Sequence, residues 1–280
     1  MAPTVTLYAW AVPAYFTDSP VDHTWVTTYD NRQSAYQTDA QVAAAGEDYW
    51  YCWGSFHPTG GTPINSDGFL GQQGGNRALA ECLVQPNADS STVPAARGTI
   101  FTYGVDGVCH QLANQVLFAT GTGGQPQLTV KLARGYFASS FIYGPWGLQH
   151  TAWVNKIAAC SGAAAPPSVL AAGGAALAGP PDDFEARARE VLGPGDPKKL
   201  SDLMALRTDT RRFAAQAWPG AAPSAETLNA RNQHLIDQAA ALLDPREFEA
   251  IFGFPPGSAS SATSCARTRS PAPSTWCAAS

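Results

Sequence analysis

The sequence predicts an α+β fold: an antiparallel sheet carrying a packed cysteine-bearing helix, followed by a small helical segment. Three observations lead there. Aromatic and β-branched residues are concentrated in residues 4–12, 21–29 and 48–57, as strands require. A single apolar stripe follows Cys109, as a helix lying on a core requires. Beyond a stretch of Ala, Gly and Pro at 161–181, the chain changes to capped, amphipathic helical patterns. The expected organisation is a β-rich domain over 1–160, a linker over 161–181, a helical segment over 182–257 and a tail over 258–280. That tail is made of Ser, Ala, Pro, Thr and Arg and lacks the apolar residues a core needs. Cleavage at 161–181 and within the tail is expected to release a stable piece near 1–160.

Residues 4–12 read as the first strand and residues 21–29 as the second. Residues 35–45 suit a short helix, and residues 48–57 a third strand. The Gly-rich run 58–76 reads as a turn-dense loop; it lacks the order of a phosphate-binding P-loop. Residues 77–84 are too short to assign. Residues 109–119 form the best-supported helix of this half. Leu112, Ala113, Val116 and Leu117 fall on one face, with Asp106 as the expected N-cap and Gly121 as the stop. Strands are expected at 126–133 and 136–143, and residues 149–160 suit helix or strand equally. In the last third, Asp182 begins a capping box with Glu185, and Asp196-Pro197 and Asp244-Pro245 each place a cap residue before proline. Helices follow near 183–192, 197–217, 225–243 and 245–252.

Composition narrows the function classes. Charged residues are 14% of the chain and no Lys/Arg cluster is present, so an electrostatic footprint for nucleic acid is absent. No run reaches 18 apolar residues, so no membrane span is expected. The first ten residues alternate like a strand and lack a basic start, which leads to the expectation of a cytoplasmic protein. The six cysteines (52, 82, 109, 160, 265 and 277) are then expected to be mostly reduced. They form no CxxC pair, so neither a metal nor another cofactor is expected.

The segment Gly107-Val-Cys-His-Gln-Leu-Ala-Asn114 carries the candidate chemistry. A thiol reacts as thiolate, and the N–H groups at a helix N-terminus favour negative charge. Cys109 is therefore the candidate nucleophile. Gly104 and Gly107 allow close approach, and His110, Gln111 and Asn114 are candidate oxyanion or substrate contacts. The competing reading is a small buried cysteine on a core helix. A thiol nucleophile needs a base. His110 follows Cys109 directly and points about 100° away on a helix. His23 lies on a strand and is the expected base, with His57 at the end of the next strand as its orienting partner. His150, in Gln-His-Thr-Ala-Trp-Val, is the alternative base if the histidine follows the cysteine. Trp50, Trp53, Trp146 and Trp153 read as core packing more readily than as a ligand platform. Cys52 reads as buried in a sheet, or as a redox partner of Cys109.

The order of a strand histidine (His23 in Asp-His-Thr-Trp-Val), a polar residue on the following strand (His57) and a cysteine opening a helix (Cys109 in Gly-Val-Cys-His-Gln) resembles the circularly permuted papain-like enzymes. These are the lecithin:retinol acyltransferase-like and permuted NlpC-like hydrolases. The likeness covers about residues 20–145. It implies a papain-like sheet, a thiolate attack on a peptide, amide or ester substrate, and an acyl-enzyme at Cys109. The third member of the triad, His57, Ser55 or another polar group, stays open. Two other function classes compete with this thiol hydrolase or acyltransferase. One is a non-enzymatic binding domain with a Trp-rich groove. The other is an interaction protein whose C-terminal helices hold a protein partner.

Overall fold

The computed structural model describes residues 4–13, 21–33, 36, 39–50, 68–84, 86, 104–118, 128–148, 156, 159–160, 182–193, 195–216 and 223–258. Strands β1 (Thr4–Pro13), β2 (Asp22–Thr27), β3 (Tyr49–Trp50) and β4 (Phe69–Asn76) form one antiparallel sheet in the order β3-β2-β1-β4. Around it stand α1 (Asp39–Ala44), α2 (Arg77–Leu83), α3 (Cys109–Leu117) and α4 (Tyr136–Tyr143). The chain then continues through α5 (Asp183–Leu192), α6 (Pro197–Gln216), α7 (Ala225–Leu242) and α8 (Pro245–Phe252). The class is α+β, as the alternation in the first half and the caps in the last third require.

Two expected elements change identity. The Gly-rich run is not all loop: its second half is β4, paired along the length of β1 from Thr4↔Asn76 to Trp10↔Phe69. Glycine is used there for room, because a Cβ on Gly71 would fall 2.8 Å from the Leu128 side chain. Residues 136–143 are the helix α4 rather than a strand, and residues 128–135 are turns. The sequence Tyr-Phe-Ala-Ser-Ser-Phe-Ile-Tyr is buried on nearly every side, so it shows no polar face from which a period can be read. Gly135 and Gly144, both at positive φ, bound it. Residues 77–83 are helical, started by the Asn76 side chain accepting from Leu79 N.

The sheet separates two apolar layers. Leu7, Ala9 and Val26 face α3, where they meet Leu112, Ala113, Val116 and Leu117, with Trp50 in the same cluster. Residues one step along each strand point the other way, as the pleat dictates. Trp10, Trp25 and Tyr49 pack there with Tyr29 and Val42. The Trp10 indole N–H donates to Thr27 Oγ1 at 2.8 Å, and that of Trp50 to the Val84 carbonyl at 2.9 Å. Trp10, Trp25 and Trp50 are fully buried and Trp146 nearly so, which makes these tryptophans core and not the lining of a groove.

The division of the chain near 161–181 is not a division of the core. Ala138, Phe141 and Ile142 of α4 belong to the same buried cluster as Phe184, Leu203, Ile236, Phe248 and Phe252 of the C-terminal helices. The rings of Phe141, Phe184 and Phe252 lie within 5.3–5.6 Å of one another. The helices start where expected. Asp182 caps α5, Ser224 caps α7, and Asp244 with Glu247 closes a capping box on α8. Glu185, expected to complete a box with Asp182, instead pairs with Arg189.

The expectation of reduced cysteines is corrected by a disulfide between Cys82, in α2, and Cys160. Their Cα atoms are 5.8 Å apart and 78 residues separate them. Lys156 reinforces the junction by donating to the Leu83 carbonyl at 2.7 Å.

Two outcomes follow from this packing. A chain ending at residue 160 exposes Phe141 and its neighbours, so it should bind a hydrophobic dye and unfold without a cooperative transition in calorimetry. Reduction, or Cys82→Ser with Cys160→Ser, reopens a long loop in the unfolded state. It should lower stability by roughly 4 kcal/mol, read as a lower urea midpoint together with a steeper slope, because the unbridged unfolded chain exposes more surface.

Candidate functional site

Helix α3 begins at Cys109, but Asp106 is not its cap. The N-cap is Val108, in extended conformation, and its N–H donates to Gln111 Oε1 at 3.1 Å. Asp106 contributes its backbone carbonyl, which accepts from Leu148 N at 2.7 Å. The Cys109 thiol is 4% exposed and donates to the Asp22 carbonyl at 3.8 Å. The start of α3 thus lies against the start of β2, across 87 residues of sequence.

His23 is not on the Cys109 side of the sheet. Its strand partner is Val12, and Trp10 pairs with Trp25, so these four side chains share the face opposite to Val26 and α3. The His23 ring stacks on Trp25 at 5.6 Å, and it is fully buried. The expected opposition of His23 to Cys109 is therefore corrected by the period of the strand: α3 covers the even-numbered face of β2 and His23 is odd. His57 and the alternative base His150 lie outside the described residues, as does Cys52.

His110, Gln111 and Asn114 are also placed differently from the expected substrate contacts. His110 is buried between two partners, with Nε2 at 3.1 Å from the Asp22 carbonyl and Nδ1 at 2.9 Å from Ser139 Oγ. Burial, offset in part by the Asp22 charge and carbonyl, lowers its pKa from 6.5 to about 4, so the ring is neutral at pH 7. A carbonyl only accepts, which assigns the proton to Nε2; Nδ1 and the Tyr136 carbonyl, 2.8 Å from Ser139 Oγ, then share the single Ser139 hydroxyl proton. Gln111 Nε2 donates to Ser139 Oγ at 3.2 Å and to the Gly144 carbonyl at 3.0 Å. Asn114 donates to the Pro145 carbonyl at 3.0 Å and to the Tyr136 hydroxyl at 3.2 Å, and its Oδ1 accepts from Val130 N at 3.0 Å. Gln115 donates to the Trp146 carbonyl at 2.7 Å. The polar face of α3 is spent on holding residues 130–146 in place.

A second polar centre lies at the last turn of α4, and the expected site residues did not include it. Three arginines from two other helices meet that turn. Arg207 donates to the Ser140 carbonyl at 2.9 Å and pairs with Asp182 at 2.8 Å. Arg231 donates to the Tyr143 hydroxyl at 2.9 Å and to the Gly104 carbonyl at 3.0 Å, with Asn232 Oδ1 as a further acceptor. Arg211 lies over Gly144, where a Cβ would fall 2.8 Å from its Nη2; Gly144, at φ 73°, is required there by conformation. Arg207 and Arg231 are 3% and 7% exposed, and Arg207 Nε and Arg231 Nη1 are buried donors with no acceptor. Burial, and after it the charge of Arg207, lowers the Arg211 pKa from the usual arginine value, with Asp182 opposing. The signal was present in sequence. Arg207 stands four residues after Leu203, and Arg231 stands between Leu228 and Leu235 at helical spacing, so both occupy apolar stripes.

Among the described residues no group of three His, Cys, Asp or Glu side chains is arranged to hold a metal ion. No helix among them is long and apolar enough to cross a membrane.

The His110 geometry has a measurable consequence. At pH 7.5 and above the ring is neutral in folded chains and largely so in unfolded ones, whose histidine titrates near 6.5. As pH falls, the unfolded chain takes up the proton first, so stability declines until the folded ring also protonates near pH 4. The loss across that window should reach about 3 kcal/mol. His110→Asn should remove this component, seen as the difference between urea-unfolding profiles of the two proteins from pH 7 to pH 4.

Comparison of the chain with protein-family models, with curated proteins and with solved structures finds no match, so the reading of these two centres rests on their own geometry.

Proposed function

We propose that this chain is a non-catalytic ligand-binding protein that works where disulfides persist. The observation that carries the reading is the closure of the Cys109 end of α3. The thiol donates to a backbone carbonyl, the adjacent imidazole is neutral with both nitrogens engaged, and His23 faces the other side of the sheet. Thiol attack needs a thiolate, a base in reach and a space for the acyl group. Here the thiol acts as a donor within the core. The binding capacity left over is cationic and lies at the α4 turn, where the part-exposed Arg211 stands beside two buried arginines. The Cys82–Cys160 bridge favours an oxidising compartment over the cytoplasm, because cytosolic thiols are kept reduced.

A second reading keeps the permuted papain-like thiol enzyme acting on an amide or ester. The observation in its favour is that Cys109 opens α3 directly against residue 22, one position from His23.

Alkylation of the full, oxidised chain separates the two. Under the binding reading, Cys109 should react with iodoacetamide far more slowly in the native protein than in urea, at every pH from 5 to 9, with sites assigned by peptide mass. Native labelling of Cys109 faster than in urea at pH 6–7, abolished by His23→Ala or His150→Ala, would establish the thiol enzyme instead.

A further inference from the structure

We propose that the three arginines at the C-terminal turn of α4 form an oxyanion site, in which Arg211 meets a phosphate or carboxylate group of a small ligand. The inference deepens the binding reading and depends on it, but its test does not involve Cys109, so each can fail alone.

The charge count is the first argument. Arg207, Arg211 and Arg231 bring three positive charges onto residues 140–144, and among the described residues one carboxylate, Asp182, is paired with them. Exposed arginines need no partner, but these are not exposed: two are more than nine-tenths buried and the third is half-buried. Buried charge of one sign is retained against a desolvation cost and against mutual repulsion. The α4 C-terminus offsets part of this, since its carbonyl dipoles favour cations. That effect fades within one turn and does not supply an acceptor for Arg207 Nε or Arg231 Nη1, both buried without one.

The second argument separates anchors from the group that meets the ligand. Arg207 and Arg231 are fixed by carbonyl, hydroxyl and carboxylate contacts within the fold. Arg211 makes no hydrogen bond or ion pair among the described residues. Instead its Nη2, Cζ and Nε lie close to the bare backbone of Gly144, and the residue is partly open to solvent. A guanidinium with its donors unspent has the two-pronged edges that oxyanions accept. Arg207, one turn before it on α6, adds its charge.

The site also explains an otherwise costly choice of residue. Without a ligand Arg211 is a burden on the fold, so replacing it by an uncharged side chain of similar length should stabilise the empty protein. This pattern belongs to binding residues, whose cost is recovered on ligation, and not to structural ones.

The test uses the full oxidised chain in thermal unfolding, with sodium phosphate, sodium acetate and sodium chloride titrated at matched ionic strength. Wild type should gain several degrees with phosphate, acetate or both, saturably, and show no such gain with chloride. A response to phosphate alone identifies a phosphoryl ligand; a response to acetate identifies a carboxylate. Arg211→Gln and Arg211→Met should abolish the response while melting at or above wild type in chloride. Arg211→Lys, which keeps the charge and loses the fork, should respond at least threefold more weakly, and the exposed Lys198→Gln should respond as wild type does. Phosphate line broadening in ³¹P spectra of wild type gives an independent readout that needs no variant. The proposal is overturned if neither anion exceeds chloride, or if Arg211→Gln responds as wild type does.

Discussion

A helix buried along its whole length must find partners inside the fold for the polar side chains it carries, and α3 does so for all four of them, leaving Gln115 Oε1 as its one unpartnered side-chain atom among the described residues. All nine of its residues are buried, and four of them, His110, Gln111, Asn114 and Gln115, are polar. Left without partners, each would cost about 1–3 kcal/mol. Their acceptors are mostly backbone carbonyls and hydroxyls between residues 136 and 146, and this fixes where that segment runs. The apolar face of the same helix covers β1 and β2. One element therefore sets the position of the sheet on one side and of α4 on the other.

Helix α4 passes that constraint to the rest of the chain. Tyr136 and Ser139 face α3, whereas Ala138, Phe141 and Ile142 enter the core made by α5, α6, α7 and α8. The Tyr136 hydroxyl bridges both sides, accepting from Asn114 and donating to Asp183 at 3.0 Å, and Asp183 also accepts from Thr129 at 2.6 Å. Burial first, and then the Asp183 charge, holds this phenol well above its usual pKa, so it stays a donor. The neighbouring Asp182 caps α5 and pairs with Arg207. Two adjacent aspartates thus tie the helical half to both ends of α4.

The two polar centres differ in a way that bears on function. Around Cys109 and His110 the polar groups bond to one another and to backbone carbonyls, and the group most often associated with reactivity, the thiol, is enclosed. Around Arg231 and Arg211 cationic donors outnumber their acceptors among the described residues. Networks completed internally rigidify a core, whereas unmatched buried donors are costly unless something outside the chain completes them. Three arginines sharing one carboxylate among the described residues are thus a more specific pointer to a ligand than a cysteine at a helix start.

What the sequence by itself determined was local. Alternation in residues 4–12 and 21–29, the stripe at Leu112, Ala113, Val116 and Leu117, and the caps at Asp182, Asp196 and Asp244 defined the elements, because period and capping depend only on near neighbours. It did not distinguish helix from strand over 136–143, where burial on both sides erases the period, or reveal β4, where glycines leave room for Leu128. Nor did it show whether the C-terminal helices stand apart. Linker composition suggested they do, whereas Phe141 makes them one core with α4. The candidate site turned on a matter of parity. His23 and Cys109 were each placed on the correct kind of element, but the sheet face covered by α3 was decided by the tertiary packing of Val26 against Leu112, Ala113 and Val116. A shift of one residue along a strand reverses the side chain's direction, so only that packing determined that the imidazole and the thiol point apart.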